Sequence, residues 1–218
     1  MDNNLEQKLL HSRTAVLVVD VQNDYCHPEG ALAKVGSDVS GVRGMMPNLH
    51  RLLAAARRYE VPVIFIQTFH EEATDSAAWK ARSNGRSLEV CRTGTWGAGF
   101  YEVAPEPGET VVNKHRYSAF VNTRLDSVLR SQKIETLIMT GVSTNVCVES
   151  TARDGFMLDY HIVLLSDACA SYSKEAHEMT MENIRGYFGD VAESGSVIAL
   201  WERERKAPEM LLKVAKQR

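Results

Sequence analysis

Short apolar runs alternate with stretches of helical period along most of this chain. Thr14–Val19 (TAVLVV) is a β-branched run that stops at Asp20, the pattern of a strand buried on both faces. Leu49, Leu52, Leu53 and Ala56 then recur at helical spacing and predict a helix over Met45–Tyr59. Val61–Gln67 (VPVIFIQ) reads as a second buried strand, and Thr110–Asn113 as a third, ending at Lys114. Asn122 is a candidate cap for a helix that reaches Gln132 with Leu125, Val128 and Leu129 on its apolar side. Glu135–Thr140 predicts a fourth strand, closed by Gly141. A helix over Asn145–Leu158 follows at once. His161–Leu165 is a fifth strand before Asp167, Lys174–Phe188 a helix, Gly195–Leu200 a weak sixth strand, and Glu202–Arg218 a solvated helix or arm.

Between these elements, Phe69–Ala104 shows no period and holds Asn84-Gly85, Gly94, Gly97 and Gly99. An irregular stretch of that length is usually functional or conceals a short element.

Strands alternating with helices predict an α/β fold. It is a three-layer, doubly wound sheet of about six mainly parallel strands with helices on both faces. No repeat or long linker interrupts the pattern, so a single domain over residues 1–218 is expected, with its core at about residues 14–200. In such sheets the ligand sits beyond the carboxyl ends of the strands. Asp20, Lys114 and the Gly141–Cys147 turn all end strands, so all three are expected at one edge of the sheet.

Composition narrows the partners. The chain has 218 residues, 44% of them hydrophobic, so it can bury a sizeable core. Its formal net charge of -3 carries no basic surplus, and no nucleic-acid partner is expected. The apolar runs are far shorter than the roughly 20 residues a membrane helix needs, so no membrane association is expected. No basic flank precedes an apolar block at the start, and the four cysteines form no CxxC pair. Reduced thiols and a cytoplasmic location are the resulting expectations.

The usual nucleotide motifs are absent. The first strand runs into DVQNDYCHPEG, without the early glycines that let backbone approach a pyrophosphate. No GxxxxGK[ST] loop and no GxSxG elbow occur. What remains is Thr140–Phe156, where a strand ends in a glycine turn and a helix begins beside Cys147. A cysteine at a helix start feels the positive end of the dipole, which favours its thiolate, and free amides there can receive an oxyanion. The plain alternative is a small buried hydrophobe. Asp20 has two readings as well, a turn cap or a catalytic carboxylate. Lys114 is a solvated lysine in one reading and a member of the same site in the other.

Three segments resemble the isochorismatase-like family of cysteine hydrolases: LVVDVQNDY around Asp20, VVNKHRYSAFVNT around Lys114 and TGVSTNVCVESTARDGF around Cys147. The likeness covers about Thr14–Ala170. It is nearest to the ureidoacrylate amidohydrolase and biuret hydrolase branch, which GTWGAGFYEVAPEPGE also resembles. The resemblance implies a catalytic triad of Asp20, Lys114 and Cys147. It also implies an oxyanion hole from the backbone amides of Ser143 and Cys147, and a cis peptide at Val142–Ser143. By the same likeness the activity is hydrolysis of an amide C–N bond in a small linear ureide or carbamoyl compound through a thioester, without a cofactor, in a homo-oligomer (tetramer or dimer). Phe69–Val90 and the region after Ala170 match the branch poorly and are expected to shape the pocket.

Substrate contacts are assigned to Asn23, Tyr25 and Tyr117, each with a packing or turn role as the alternative. Trp96 and Phe100 are candidates to close over the substrate or to bury a subunit interface. Arg153 and Asp154 are expected in a helix-face ion pair. Nicotinamidases of the family add an Asp/His/His ion site after the second strand. Here TFHEEATD offers only His70, so no metal is expected. The competing readings are another amidase of the family, an N-carbamoyl amino acid amidase or a nicotinamidase, and a non-catalytic α/β binding or scaffold protein.

Overall fold

The computed structural model describes residues 3–9, 13–82 and 89–215; the Asn84-Gly85 turn and the last residues of the C-terminal arm lie outside them. A short helix, α1 (Asn3–Lys8), leads into β1 (Thr14–Val19), every residue of which is buried. Val16 and Val18 join the core on one face of the sheet, and Ala15, Leu17 and Val19 join the core on the other. Both faces of β1 are therefore dry, which explains an uninterrupted apolar run in place of alternation.

After two short helical turns, α2 (Asn23–Cys26) and α3 (Ala31–Lys34), the long helix α4 (Ser40–Arg58) covers the first face. Its buried side chains Val42, Met45, Met46, Leu49, Leu52, Leu53 and Ala56 recur at three- and four-residue steps. The chain then forms β2 (Val63–Thr68), α5 (Ala77–Arg82), β3 (Thr110–Lys114), α6 (Leu125–Ser131) and β4 (Thr136–Val142). A π-helical turn at Thr144–Val148 passes directly into α7 (Glu149–Met157). The remaining elements are β5 (His161–Ala170), α8 (Lys174–Tyr187), β6 (Asp190–Ala192) and α9 (Ser194–Ala215).

The six strands lie in the order β3-β2-β1-β4-β5-β6. All five pairings are parallel. Strand order reverses between β1 and β4, which opens a crevice at their carboxyl ends. Asp20 follows β1 and Ser143 follows β4, so both stand at that crevice.

Three expectations need correction. The sixth strand is Asp190–Ala192, whereas Gly195–Leu200 lies in α9. Buried Val197, Leu200 and Trp201 have helical spacing, and the Asp167 carboxylate accepts Ser194 N–H and Oγ, both at 2.7 Å, at the helix start. Asn122 is not the cap of α6: it has a φ of 55°, and Thr123 Oγ1 accepts the Leu125 amide at 3.1 Å. The fifth strand runs on through Asp167 to Ala170, because a bulge between Met139 and Gly141 shifts the register with β4.

Candidate active site

The site begins with the ends of three strands. Asp20 leaves β1 in the left-handed region, with φ 52°, a conformation that Asp tolerates better than most residues. Its amide donates to the Ile66 carbonyl at 3.0 Å, and its own carbonyl accepts Gln22 N–H at 2.8 Å, so the turn is fixed from both sides. Lys114, the last residue of β3, is only 1% exposed and its Nζ stands 2.7 Å from Asp20 Oδ2. The same ammonium donates to Thr68 Oγ1 at 2.8 Å and to the Arg116 carbonyl at 3.0 Å. Thr68, at the end of β2, donates its hydroxyl to Asp20 Oδ1 at 2.9 Å. Oδ2 is thus engaged by the Lys114 ammonium in a buried 2.7 Å ion pair.

Cys147 completes the arrangement from the π-helical turn. It is buried but lines a cavity of about 200 Å³. Drug-sized ligands occupy roughly 300–1,000 Å³, so this space suits a smaller molecule. Burial pushes the Cys147 thiol up; Lys114 pulls it down and Asp20 adds to the rise, with a net shift well above the ordinary thiol value. The expected bias toward thiolate is therefore reversed in the resting site, because desolvation outweighs the neighbouring ammonium. Burial also works against the Lys114 charge, but Asp20 and Cys147 outweigh it, and its pKa ends above that of an ordinary lysine. The Val142–Ser143 peptide is cis, and Ser143 lines the cavity beside Cys147. The Ser143 hydroxyl donates to Asn145 Oδ1 at 2.8 Å, and Ser171 Oγ donates to the same oxygen at 2.7 Å.

Tyr25 and Tyr117 also face this cavity, as do His70, Trp79, Arg82 and Val90 from the poorly matching segment and Tyr172 from beyond Ala170. Burial, helped by Cys91 and Asp20, holds the Tyr25 phenol far above its ordinary pKa, so it is a neutral donor. Asn23 is elsewhere: its amide nitrogen donates to the Trp96 carbonyl at 2.8 Å, and it is not among the lining residues. Trp96 is 56% exposed and packs edge-on against His27, whereas Phe100 packs on Phe65 of the core; neither reaches the cavity. Arg153 forms its helix-face ion pair with Glu149 at 2.7 Å, and Asp154 has no part in it.

Sequence reasoning missed Thr68, Gln22 and Asp24. Gln22 is fully buried, accepts Thr68 N–H at 2.7 Å and donates to the Thr68 carbonyl at 2.9 Å, so it clamps the residue that bridges Lys114 and Asp20. Asp24 accepts the amides of Cys91 at 2.7 Å and Ala31 at 2.9 Å, folding the irregular segment against α3. A side chain on Gly97 would collide with that carboxylate. The available signal was the density of polar residues just after β1, in DVQND. Among the described residues no three His, Cys, Asp or Glu side chains gather as a cation cage. Asp75, whose charge acts on His70, is paired with Arg92 at 2.5 Å.

Residues 14–196 match the isochorismatase domain model. The chain is 38% identical over 196 residues to ureidoacrylate amidohydrolase RutB of Methylobacterium radiotolerans, covering 83% of this chain and 76% of that protein. It is 40% identical over 195 residues to the protein of the same name from Pseudomonas syringae pv. syringae, covering 82% and 80%. A cysteine hydrolase from Pseudomonas syringae pv. phaseolicola superposes with a TM-score of 0.81 at 31% identity, over 89% of this chain and 94% of that one. Nicotinamidase PncA from Bacillus subtilis superposes with a TM-score of 0.71 at 25% identity, over 83% and 99%.

Proposed function

The chain belongs to the isochorismatase family as an amidohydrolase, and from that premise we propose that it cleaves a C–N bond of a small linear ureide by cysteine catalysis. The reading is supported above all by one observation. A carboxylate, an ammonium and a thiol are buried together, and the thiol lines a small cavity.

Cys147 sulfur attacks the substrate carbonyl carbon as its proton passes to Asp20 Oδ2. A buried thiol with a raised pKa needs such a base at the moment of attack. Lys114 compensates the charge on Asp20 before transfer and the charge on sulfur during it. The amides of Ser143 and Cys147 receive the oxyanion; one such donor is worth roughly 10²–10³ in rate. The tetrahedral species collapses, the C–N bond breaks, and Asp20 delivers its proton to the leaving nitrogen. Water then gives a proton to Asp20 and its hydroxyl to the thioester carbon. The C–S bond breaks and the proton returns to sulfur. The amide and water become a carboxylic or carbamic acid and an amine or ammonia.

The test is ammonia release from biuret, triuret, ureidoacrylate, an N-carbamoyl amino acid and nicotinamide, with Cys147→Ser as control. Wild type is expected to release ammonia from at least one linear ureide and the variant from none; near-normal turnover by the variant refutes the nucleophile. Lys114→Met removes the group that lowers the Cys147 pKa. The midpoint of Cys147 alkylation by iodoacetamide should therefore move to higher pH, and an unmoved profile takes Lys114 out of this role.

A further inference from the structure

Two residues that line the cavity each carry a buried nitrogen with no hydrogen-bond partner among the described residues, Nε1 of Trp79 and Nδ1 of His70. Trp79 is 9% exposed and His70 is 3% exposed, and their rings stand 5.1 Å apart. Buried polar groups are nearly always paired in folded proteins, so an orphan beside a cavity points to an acceptor supplied by a ligand. The indole N–H can only donate.

Arg82 lies three residues further along α5, on the same side of the helix. It lines the same cavity, with its guanidinium carbon 5.6 Å from the Trp79 ring and 5.3 Å from the Tyr117 ring. No carboxylate among the described residues comes within ion-pair distance of it. A second guanidinium, Arg116, lies 5.4 Å from the Trp79 ring, but it donates to the His115 carbonyl at 2.6 Å and the Thr74 carbonyl at 3.1 Å. Arg82 thus brings a positive charge to the cavity, with no acceptor for its donors among the described residues, beside an indole donor that also lacks one there. Among the described residues no Asp or Glu lines the cavity. Such a wall matches an anionic group that only accepts, and the planar fork of a guanidinium suits a carboxylate.

We propose that Trp79 Nε1–H and Arg82 form an anion subsite, and that it holds the carboxylate of a linear ureido acid while the ureido carbonyl lies at Cys147. The proposal rests on the amidohydrolase reading and adds a specificity: ureido acids over neutral ureides of the same shape.

The experiment compares 3-ureidopropionate with its neutral isostere, isopentylurea, in wild type, Arg82→Met, Arg82→Lys and Trp79→Phe. Wild type should favour the acid at least tenfold in kcat/KM, chiefly through KM. In Arg82→Met that ratio should fall roughly 10–100-fold, the range for a lost hydrogen bond to a charged group. Arg82→Lys should recover part of it, and Trp79→Phe, which keeps the ring, should lose a smaller part. Equal use of both compounds by wild type, or an unchanged ratio in Arg82→Met, overturns the subsite while the hydrolase reading stands. If wild type hydrolyses neither compound, the ureide reading fails for this pair. The subsite is then read from protection of Cys147 against iodoacetamide. Protection by 3-ureidopropionate alone, lost in Arg82→Met, supports it; equal protection by both compounds overturns it.

Discussion

A hydroxyl between an ammonium and a carboxylate has its proton direction dictated by them. Lys114 can only donate and ionised Asp20 can only accept, so Thr68 must accept from Nζ at 2.8 Å and donate to Oδ1 at 2.9 Å. That single side chain engages Oδ1, so under the proposed mechanism Thr68 is a positioning residue for the carboxylate. Thr68→Val has nearly the same volume and no hydroxyl. It should lower kcat by about tenfold or more with little change in KM, and should shift the pH profile of Cys147 alkylation. Thr68→Ser should restore both. If Thr68→Val lowers only thermal stability and leaves kcat and the profile alone, its role is structural. At this scale the sequence named Asp20, Lys114 and Cys147, because each stands at a strand end in a distinctive motif. It could not name Thr68, since a threonine closing a β-branched strand looks like any other strand residue until its neighbours are known.

Among the elements, the β4 turn carries the tightest constraint. Gly141 has a φ of 104°, and a side chain there would meet the backbone oxygen of Val19 on the adjacent strand. This close approach of β4 to β1 sets Ser143 and Cys147 beside Asp20. Gly141→Ala should cost about 1–3 kcal/mol, the usual range for a strained backbone position, visible as a lower urea midpoint. Turnover should fall as well, since the strand must shift to admit the methyl group; an unchanged midpoint and rate would show that the turn has slack. Strands β1 to β4 were legible because buried parallel strands read as solid apolar runs. The start of α7 was legible only as a helix; the π-helical turn before it carries no period of its own in so short a stretch. Strand β6 is three half-buried residues long, too short to show a period, and the apolar positions after it belong to a helix.

Over the whole molecule, the two ends of the described chain are tied together. Trp201 of α9 is 1% exposed and its indole N–H donates to the Leu9 carbonyl at 3.2 Å, while Arg203 pairs with Glu6 at 2.8 Å and Lys8 with Asp190 at 3.0 Å. Trp201→Ala opens a cavity in the core shared with α4 and should cost about 3–5 kcal/mol. The Tm should drop accordingly, while kcat measured well below the transition stays near wild type. A Tm within a degree of wild type would mean that α9 adds no stability to this core. No helix among the described residues is long and apolar enough to cross a membrane. The residue pattern alone determined the α/β class and the central strands, because burial on both faces is written locally, and strand-end motifs pointed to Asp20, Lys114 and Cys147 as the candidate site. Only the tertiary structure decided which groups touch: strand order put β1 beside β4, and a segment without any period supplied His70, Trp79 and Arg82 to the cavity wall. Contacts between residues far apart in sequence follow from how layers pack, and that information is not periodic along the chain.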